Sequence, residues 1–314
     1  MSRAFVFPGQ GSQAVGMGRE LAEAFQVARE VFQEVDEALG QNLSRLMFEG
    51  PEADLVLTEN AQPALMAVSM AVMRVLEKDG GIDLAATAGV VAGHSLGEYS
   101  ALAAARALSL SDTARLLRIR GLAMQRAVPV GEGAMAALLG ADIDLAREIA
   151  AAAAAQGEVC EAANDNAPGQ VVVSGAKAAV ERAIAIAAER GVKRGVLLPV
   201  SAPFHCALMK PAAEAMAEAL ADVAIETPVV PLIANVTAAE VEYPEDIRRL
   251  LVAQVTGTVR WRESVLRMKE RGVDTLVEAG SGKVLTGLVR RIDKEMSGVS
   301  LNGPADIEAF LAKL

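Results

Sequence analysis

The sequence predicts an α/β protein in which a large domain with a parallel sheet carries a smaller inserted subdomain. The first observation is a short apolar run, Val90–Ala92, that enters a sharp turn, Gly93–Gly97, and then a helical stretch, Glu98–Leu108. A strand, a tight turn and a helix in this order are typical of α/β folds, which bind ligands near their strand ends. The second observation is a separate succession of strands and helices between residues 130 and 199, after which the first pattern resumes.

The large domain is predicted from apolar runs on both sides of that middle segment. Ala4–Phe7 is a buried strand, followed by a glycine-rich turn and a helix over Gly18–Leu39. Pro63–Lys78 is predicted to be a helix with one apolar face, because its apolar residues recur at helical spacing. Val229–Ala234 and Thr275–Ala279 are further strands. We therefore expect residues 1–129 and 200–314 to form one discontinuous domain.

The middle segment follows the order β-α-β-β-α-β, which is the ferredoxin-like order. Its predicted strands are Ala134–Leu139, Glu158–Ala163, Gln170–Ser174 and Gly195–Val200, and its helices run through Ala150–Ala155 and over Ala176–Arg190. About 70 residues are enough for a small domain. Residues 130–199 are therefore predicted to form an inserted ferredoxin-like subdomain.

Composition excludes several classes of protein. Of 314 residues, 52% are hydrophobic and 22% are charged, so the chain can bury a sizeable core and is not expected to be disordered. A net charge of −10 argues against nucleic-acid binding, which needs clustered Lys and Arg. No apolar run reaches the roughly 20 residues of a membrane span. Two cysteines, Cys160 and Cys206, predict neither a disulfide framework nor a metal site. We expect a cytoplasmic globular protein.

The turn Gly93-His94-Ser95-Leu96-Gly97 matches the pattern G-x-S-x-G of a nucleophile elbow. In such an elbow a strained strand-to-helix turn exposes the serine hydroxyl, and the backbone N–H after the serine can stabilise an oxyanion. A glycine turn with an incidental serine is the alternative. The position between an apolar strand and a helix favours Ser95 as a nucleophile.

A nucleophilic serine needs a base, and histidine is the commonest one. The chain has two histidines, His94 and His205. Because His94 is adjacent to Ser95 on the elbow, its side chain is expected to point elsewhere and to stabilise the turn. His205 is therefore the predicted base, although a structural histidine on a loop is the alternative.

Three further motifs have features of ligand-binding sites. Arg115, Arg118 and Arg120 lie on one predicted helix but cannot share a face, and each is either a solvated charge or an anion ligand. Gly9–Ala14 fits the dinucleotide pattern G-x-G-x-x-A, but the second strand of a βαβ unit does not follow. Gly280–Lys283 resembles a phosphate loop, but valine stands at positions 277 and 284. Neither a nicotinamide nor an ATP function is supported.

Together these motifs resemble the malonyl-CoA–acyl carrier protein transacylases of fatty-acid synthesis, of which the acyltransferase domains of polyketide synthases are close relatives. The matching segments occur in one order over some 250 residues, which makes the resemblance specific. They are Phe5–Gln13, Gln62–Leu65, Gly93–Leu102, Arg120-Gly121 with Met124-Gln125, Ser201–Met209, and Gln254 before Val259–Trp261. The family fold, a large α/β-hydrolase-like domain with a ferredoxin-like insertion, agrees with the elements predicted above.

The resemblance also implies a role for each matching residue. Ser95 is the acylated nucleophile and His205 its general base, while the backbone carbonyl of Gln254 orients the imidazole ring. Arg120 pairs with the malonyl carboxylate. The remaining positions are the oxyanion-hole amides of Gln10 and Leu96 and the lesser pocket residues Gln62 and Asn166.

The implied reaction is ping-pong transfer of a malonyl group from malonyl-CoA, through Ser95, to the phosphopantetheine thiol of acyl carrier protein. It requires no cofactor and no metal. An acetyl group would leave Arg120 unpaired, at a cost of about 3–5 kcal/mol, which corresponds to roughly hundred- to several-thousand-fold discrimination. Phe204, beside His205, stands where some relatives have a small residue, and it is expected to disfavour branched extenders.

Two other functions fit parts of the sequence. A serine esterase or lipase shares the elbow, but its histidine normally comes late, whereas 109 residues follow His205 here (314 − 205). A non-catalytic module that recruits carrier protein is opposed by the presence of both Ser95 and His205. We expect a monomer that binds its acidic carrier through a local basic patch, with Lys193-Arg194 or Arg260 and Arg262 as candidates, although each is more often a solvated charge.

Overall fold

The computed structural model describes residues 2–154 and 157–314. Its strands are β1 (Ser2–Phe7), β2 (Ala88–Gly93), β3 (Gly133–Leu139), β4 (Cys160–Ala167), β5 (Gln170–Ala176), β6 (Arg194–Leu197), β7 (Leu232–Ile233), β8 (Glu240–Val241), β9 (Val273–Ala279) and β10 (Ser297–Leu301). Its α-helices are α1 (Arg19–Ala24), α2 (Gln26–Leu39), α3 (Leu43–Glu49), α4 (Glu52–Leu55), α5 (Thr58–Lys78), α6 (Leu84–Thr87), α7 (Gly97–Ala104), α8 (Leu110–Ala127), α9 (Ile143–Ala153), α10 (Lys177–Glu189), α11 (Lys210–Ala221), α12 (Pro244–Thr256), α13 (Trp261–Glu270), α14 (Val284–Ile292) and α15 (Pro304–Leu311). None of these helices is long and apolar enough to cross a membrane.

Six strands form the larger sheet in the order β10-β9-β1-β2-β7-β8. All neighbours in it are parallel except β7 and β8. Phe7 at the end of β1 is in register with Gly93 at the end of β2. Because parallel strands end at the same edge, the turns after β1 and β2 lie side by side there.

The two faces of this sheet bury separate apolar clusters, as expected for a parallel sheet covered by helices on both sides. Phe5 and Phe7 point into the larger cluster, which also contains α5. Ala4 and Val6 point to the other face, where Trp261 of α13 is fully buried. Successive side chains of β1 therefore alternate between the two apolar clusters, and the sheet is packed on both faces.

The smaller sheet has the order β4-β5-β3-β6, and all its neighbouring pairs are antiparallel. This is the strand arrangement of the ferredoxin-like order predicted for the middle segment. Helices α9 and α10 pack on one face of it through an alanine-rich cluster. Ala155, at the end of the predicted alanine helix, lies outside the described residues. The division of the chain at residues 130 and 199 stays a prediction.

The far end of β4 contacts helix α13 and the segment before it. Asn164 forms a parallel bridge with Val259, the Asp165 N–H donates to the Val259 carbonyl, and the Val259 N–H donates to that of Ala163. The Asp165 carboxylate also pairs with Arg262 at 2.9 Å. Strand β4 reaches Ala167, beyond the predicted Glu158–Ala163, because Asn164, Asp165 and Ala167 stay paired with β5.

Several predicted elements of the large domain differ from those observed. The helix predicted over Gly18–Leu39 is divided at Phe25, which is extended (φ −126°, ψ 125°) and packs its ring on the main core. The elbow helix ends at Ala104 rather than Leu108, because Arg106 has a left-handed backbone (φ 61°). Helix α5 begins at Thr58, not Pro63, and is buried on nearly all sides, so the prediction of a single apolar face is wrong.

The edges of the larger sheet also differ from prediction. Strand β7 covers only Leu232–Ile233 of the predicted Val229–Ala234, and strands β8 and β10 were not predicted. A strand of two residues cannot show an alternating pattern, and β10 is only partly buried, so its sequence lacks the apolar run that marks a central strand.

We predict opposite effects of alanine at two glycines. A Cβ on Gly93 would lie 1.9 Å from the Gly97 carbonyl group, so Gly93→Ala should lower the free energy of unfolding by more than about 2 kcal/mol. A Cβ on Gly287, within α14, meets nothing within 4 Å in the described chain, and Gly287→Ala should raise it by about 0.5–1 kcal/mol. Urea unfolding monitored by circular dichroism measures both; equal effects would contradict the close approach at the elbow.

Candidate active site

Ser95 sits at a strained turn between β2 and α7. Its φ is 54°, in the left-handed region that disfavours residues with a Cβ. The turn is possible because Gly93 and Gly97 let the backbone close on itself: a Cβ on Gly97 would lie 2.2 Å from the Phe7 carbonyl oxygen. The predicted elbow is therefore present, and it lies against the end of β1.

His205, the predicted base, contacts the serine of the elbow. The Oγ of Ser95 lies 2.7 Å from Nε2 of His205. The other ring nitrogen, Nδ1, lies 2.9 Å from the backbone carbonyl oxygen of Gln254. Because a carbonyl oxygen only accepts, Nδ1 carries the proton and Nε2 is left to accept from the serine hydroxyl. This is the tautomer that a general base requires.

Burial and charge keep the imidazole neutral. His205 is 3% exposed. Its burial, followed by the positive charge of Arg120, lowers the pKa of His205 to about 3. The ring is therefore unprotonated, and able to take a proton from Ser95, throughout the neutral and mildly acidic range.

Arg120 is a buried cation beside the nucleophile. It lies on α8 and is 1% exposed, whereas Arg115 on the same helix is exposed and paired with Asp112. Its guanidinium donates to Oε1 of Gln62 (2.9 Å), to Oε1 of Gln254 (2.8 Å) and to Oγ of Ser95 (3.2 Å). No ion pair with Arg120 is found in residues 2–154 and 157–314. A planar cation held in this way can grip a carboxylate through two parallel hydrogen bonds.

The two residues predicted to supply oxyanion-hole amides line the cavity from adjacent turns. Gln10 follows β1 and Leu96 follows Ser95, and both line the cavity into which Ser95 points. Neither N–H has an acceptor within the described chain. Their proximity follows from the register of β1 and β2, which places the two turns side by side. The Gly9–Ala14 motif thus belongs to this cavity, not to a nucleotide site.

His94 points away from Ser95, as expected. Its Nε2 lies 2.8 Å from Oδ1 of Asn166, and its ring packs at 5.8 Å from that of Trp261. Burial lowers the pKa of His94. A Cβ on Gly9 would approach the His94 carbonyl oxygen to 2.8 Å, so the His94 backbone also abuts the turn after β1. His94 and Asn166 therefore brace the elbow against β4.

The cavity that holds these groups has a volume of about 710 Å³ and opens between the two sheets. The larger domain contributes Ser95, His205 and Arg120 to its lining, and the smaller sheet contributes apolar residues such as Met135 and Val172. All the predicted site residues except Gln254 line it, and Gln254 lies directly behind His205 and Arg120. Phe204 also lines it, as expected for a residue that limits the width of the pocket.

Comparison with known proteins identifies the family. A family model described as the acyl transferase domain matches residues 4–303. The chain belongs to this acyltransferase family.

Individual acyltransferases match it nearly end to end. The malonyl CoA-acyl carrier protein transacylase of Bacillus subtilis is 45% identical over 311 residues, 99% of this chain and 96% of that protein. The acyl-carrier-protein-S-malonyltransferase of Bartonella henselae superposes with a TM-score of 0.97 at 57% identity, covering 100% of this chain and 99% of that one. A malonyl-transacylase solved in complex with a type II PKS acyl-carrier protein has a TM-score of 0.96 at 42% identity, covering 100% of both chains. The predicted family and α/β fold are confirmed.

Three residues of the site were not predicted from the sequence. Asn235 accepts from the Ser95 N–H at 2.8 Å through its side-chain oxygen. The Arg120 guanidinium carbon lies 5.7 Å from the centroid of the Tyr99 ring, and Glu98 is buried beside Gln254. Glu98 and Tyr99 directly follow the elbow motif, so their sequence position was a usable signal, whereas Asn235 is brought in only by β7.

We predict that acid destabilises the protein through His205. Its pKa is lower in the folded chain (about 3) than the ordinary 6.5, so the unfolded chain binds a proton that the folded chain does not, and stability falls as pH drops below 6.5. At pH 5 the loss is about 2 kcal/mol relative to pH 7. The contributions of His94 and Glu98, whose pKa values are also shifted by burial, are common to both proteins, so the test is a difference: in urea unfolding, the change in stability from pH 7 to pH 5 should be about 2 kcal/mol more unfavourable in the wild type than in His205→Asn. The same pH dependence in both proteins would contradict the depressed pKa.

Proposed function

We propose that the protein transfers a malonyl group from malonyl-CoA to the phosphopantetheine thiol of acyl carrier protein, through a malonyl ester on Ser95. The observation that carries the proposal is the arrangement of three groups in one cavity: Ser95 Oγ at 2.7 Å from a neutral imidazole and at 3.2 Å from the buried guanidinium of Arg120. The full-length similarity to malonyl-transacylases supports the same reaction.

In the first half-reaction Ser95 Oγ attacks the thioester carbonyl carbon while His205 Nε2 takes the hydroxyl proton. The carbonyl oxygen becomes negative, and the free N–H groups of Gln10 and Leu96 stabilise it. When the carbon–sulfur bond breaks, the proton on His205 passes to the sulfur of coenzyme A. The second half-reaction reverses these steps, with the carrier thiol losing its proton to His205 and attacking the ester.

Selectivity for malonyl follows from the position of Arg120. In a malonyl ester one methylene group separates the ester carbonyl from the carboxylate, so the carboxylate reaches the guanidinium that contacts Ser95 Oγ. Hydrogen bonds to Gln62 and Gln254 hold that guanidinium in place. An acetyl ester would leave the buried cation without its partner.

An acidic carrier protein requires a basic surface near the cavity. Arg260 and Arg262 are already paired, with Glu263 and Asp165 respectively, which leaves Lys193 and Arg194 as the exposed basic pair of those predicted. We infer that this pair, Arg194 at the start of the edge strand β6 and Lys193 directly before it, contributes to carrier binding. A cytoplasmic location, a monomeric state and the absence of a cofactor stay predictions.

Ser95→Ala should abolish formation of the malonyl-enzyme. After incubation with malonyl-CoA, intact-protein mass spectrometry should show one malonyl adduct on the wild type and none on the variant, and transfer to carrier protein should fall at least about a thousandfold. Ser100→Ala is a matched control, because Ser100 is also buried but does not line the cavity. An adduct on Ser95→Ala would contradict the assignment of Ser95 as the acylated residue. If the wild-type adduct is hydrolysed faster than it is transferred to the carrier thiol, an esterase is favoured.

Replacing Arg120 should remove the preference for malonyl over acetyl groups without abolishing acylation of Ser95. Arg120→Ala should lower the ratio of malonyl to acetyl acylation rates by roughly a hundredfold or more. Without the guanidinium, the malonyl carboxylate would be buried with no cation to pair with. Arg120→Lys should recover only part of the ratio, because lysine cannot bind both carboxylate oxygens in parallel. Arg115→Ala, on the exposed side of the same helix, is the control. An unchanged ratio in Arg120→Ala would show that another group binds the carboxylate.

A further inference from the structure

Glu98 is a buried acid that the reaction described above does not use. It lies in the first turn of α7, three residues after Ser95, and is 1% exposed. Its Oε2 accepts two hydrogen bonds, from the Asn235 backbone N–H at 2.9 Å and from Nε2 of Gln254 at 3.0 Å. Burial raises its pKa to about 7. A buried carboxyl group is costly, so its retention beside the site calls for an explanation.

The first partner of Glu98 holds the elbow. The side chain of Asn235 accepts from the Ser95 N–H at 2.8 Å and donates to the Gly93 carbonyl oxygen at 2.7 Å. These bonds hold the first half of the strained turn, from Gly93 to the nucleophile Ser95. Glu98 accepts from the Asn235 backbone N–H. It therefore holds Asn235 in the position from which the Asn235 side chain bonds to the turn.

The second partner of Glu98 connects the base to the cation. The Gln254 backbone carbonyl accepts from His205 Nδ1, and its side-chain Oε1 accepts from Arg120 at 2.8 Å. The opposite side of that amide, Nε2, donates to Glu98 and to the Ser95 carbonyl oxygen at 2.9 Å. An amide can be turned either way round, and the wrong orientation would present an NH₂ group to the guanidinium.

We propose that Glu98 is a positioning residue for acyl selectivity: its Oε2 fixes the orientation of the Gln254 amide and thereby the position of the Arg120 guanidinium. A carboxylate oxygen facing Gln254 accepts the NH₂ group, so Oε1 is turned toward Arg120. The inference rests on the proposed function, because it assumes that Arg120 binds the acyl carboxylate.

Three substitutions separate length from charge at this position. Glu98→Gln keeps the length and an accepting oxygen but removes the charge. Glu98→Asp keeps the charge but withdraws the oxygen from Gln254 by one methylene. Glu98→Ala removes both. Ser100→Ala, on the same buried helix, is the matched control, since its Oγ has no hydrogen-bond partner in the described chain.

The measurement is the rate of acyl-enzyme formation with malonyl-CoA and with acetyl-CoA, by rapid quench and intact-protein mass spectrometry, with circular dichroism to show that each variant is folded. We expect the malonyl-to-acetyl ratio to fall at least about tenfold in Glu98→Asp and Glu98→Ala, because a misplacement near 1 Å in a reacting site costs up to about a hundredfold. Glu98→Gln should stay within about threefold of the wild type, as should Ser100→Ala.

Each other result overturns the inference. An unchanged ratio in Glu98→Asp, even if both rates fall, would indicate a structural role only. If the malonyl-to-acetyl ratio falls in Glu98→Gln but is retained in Glu98→Asp, the charge of Glu98 determines selectivity and the position of its oxygen does not. These outcomes leave the proposed function intact, whereas a wild-type enzyme that forms no malonyl adduct would overturn both.

Discussion

The close approach of two backbones at the ends of β1 and β2 is the constraint on which the site depends. The Phe7 carbonyl oxygen accepts from the His94 N–H at 3.0 Å and lies against Gly97, where a Cβ could not fit. This contact brings the turn containing Gln10 beside the elbow. Gln10 and Ser95 thus come from segments far apart in the chain, and strand register brings them together.

His205, the proposed base, bonds to no carboxylate in the described chain, and electrostatics explain the arrangement. An acid bonded to His205 would lie close to Arg120 and compete with a substrate for the guanidinium. A backbone carbonyl, that of Gln254, fixes the same tautomer without a charge. The nearby acid, Glu98, is separated from Arg120 by the Gln254 side chain, so the cation stays available.

The sequence was most informative where one local pattern determined the geometry. The elbow at Ser95 follows from two glycines flanking a turn, and His205 followed from the shortage of histidines. Arg120 could not be distinguished from Arg115 by spacing alone; only the family resemblance separated them, because burial of α8 depends on helices elsewhere in the chain. Asn235 had no sequence signal, since the short strand that positions it is set by tertiary pairing with β2.

The same reasoning explains which parts of the fold escaped prediction. The helical and central-strand patterns reflect burial, which apolar residues report directly. The break at Phe25, the end of α7 and the edge strands depend instead on backbone conformation and on neighbours distant in sequence. The extension of β4 likewise arises from its pairing with β5 over residues 164–167, where the sequence is polar and has no apolar run.

Ser95 and His205 share one unfavourable property: both have left-handed backbones, with φ of 54° and 58°. A residue with a Cβ in this region costs about 1–2 kcal/mol that glycine would not. The chain therefore gives up folding stability at the two groups that react with each other. A variant selected for thermal endurance alone would gain stability from glycine at these two positions and would lose the hydroxyl and the imidazole with it.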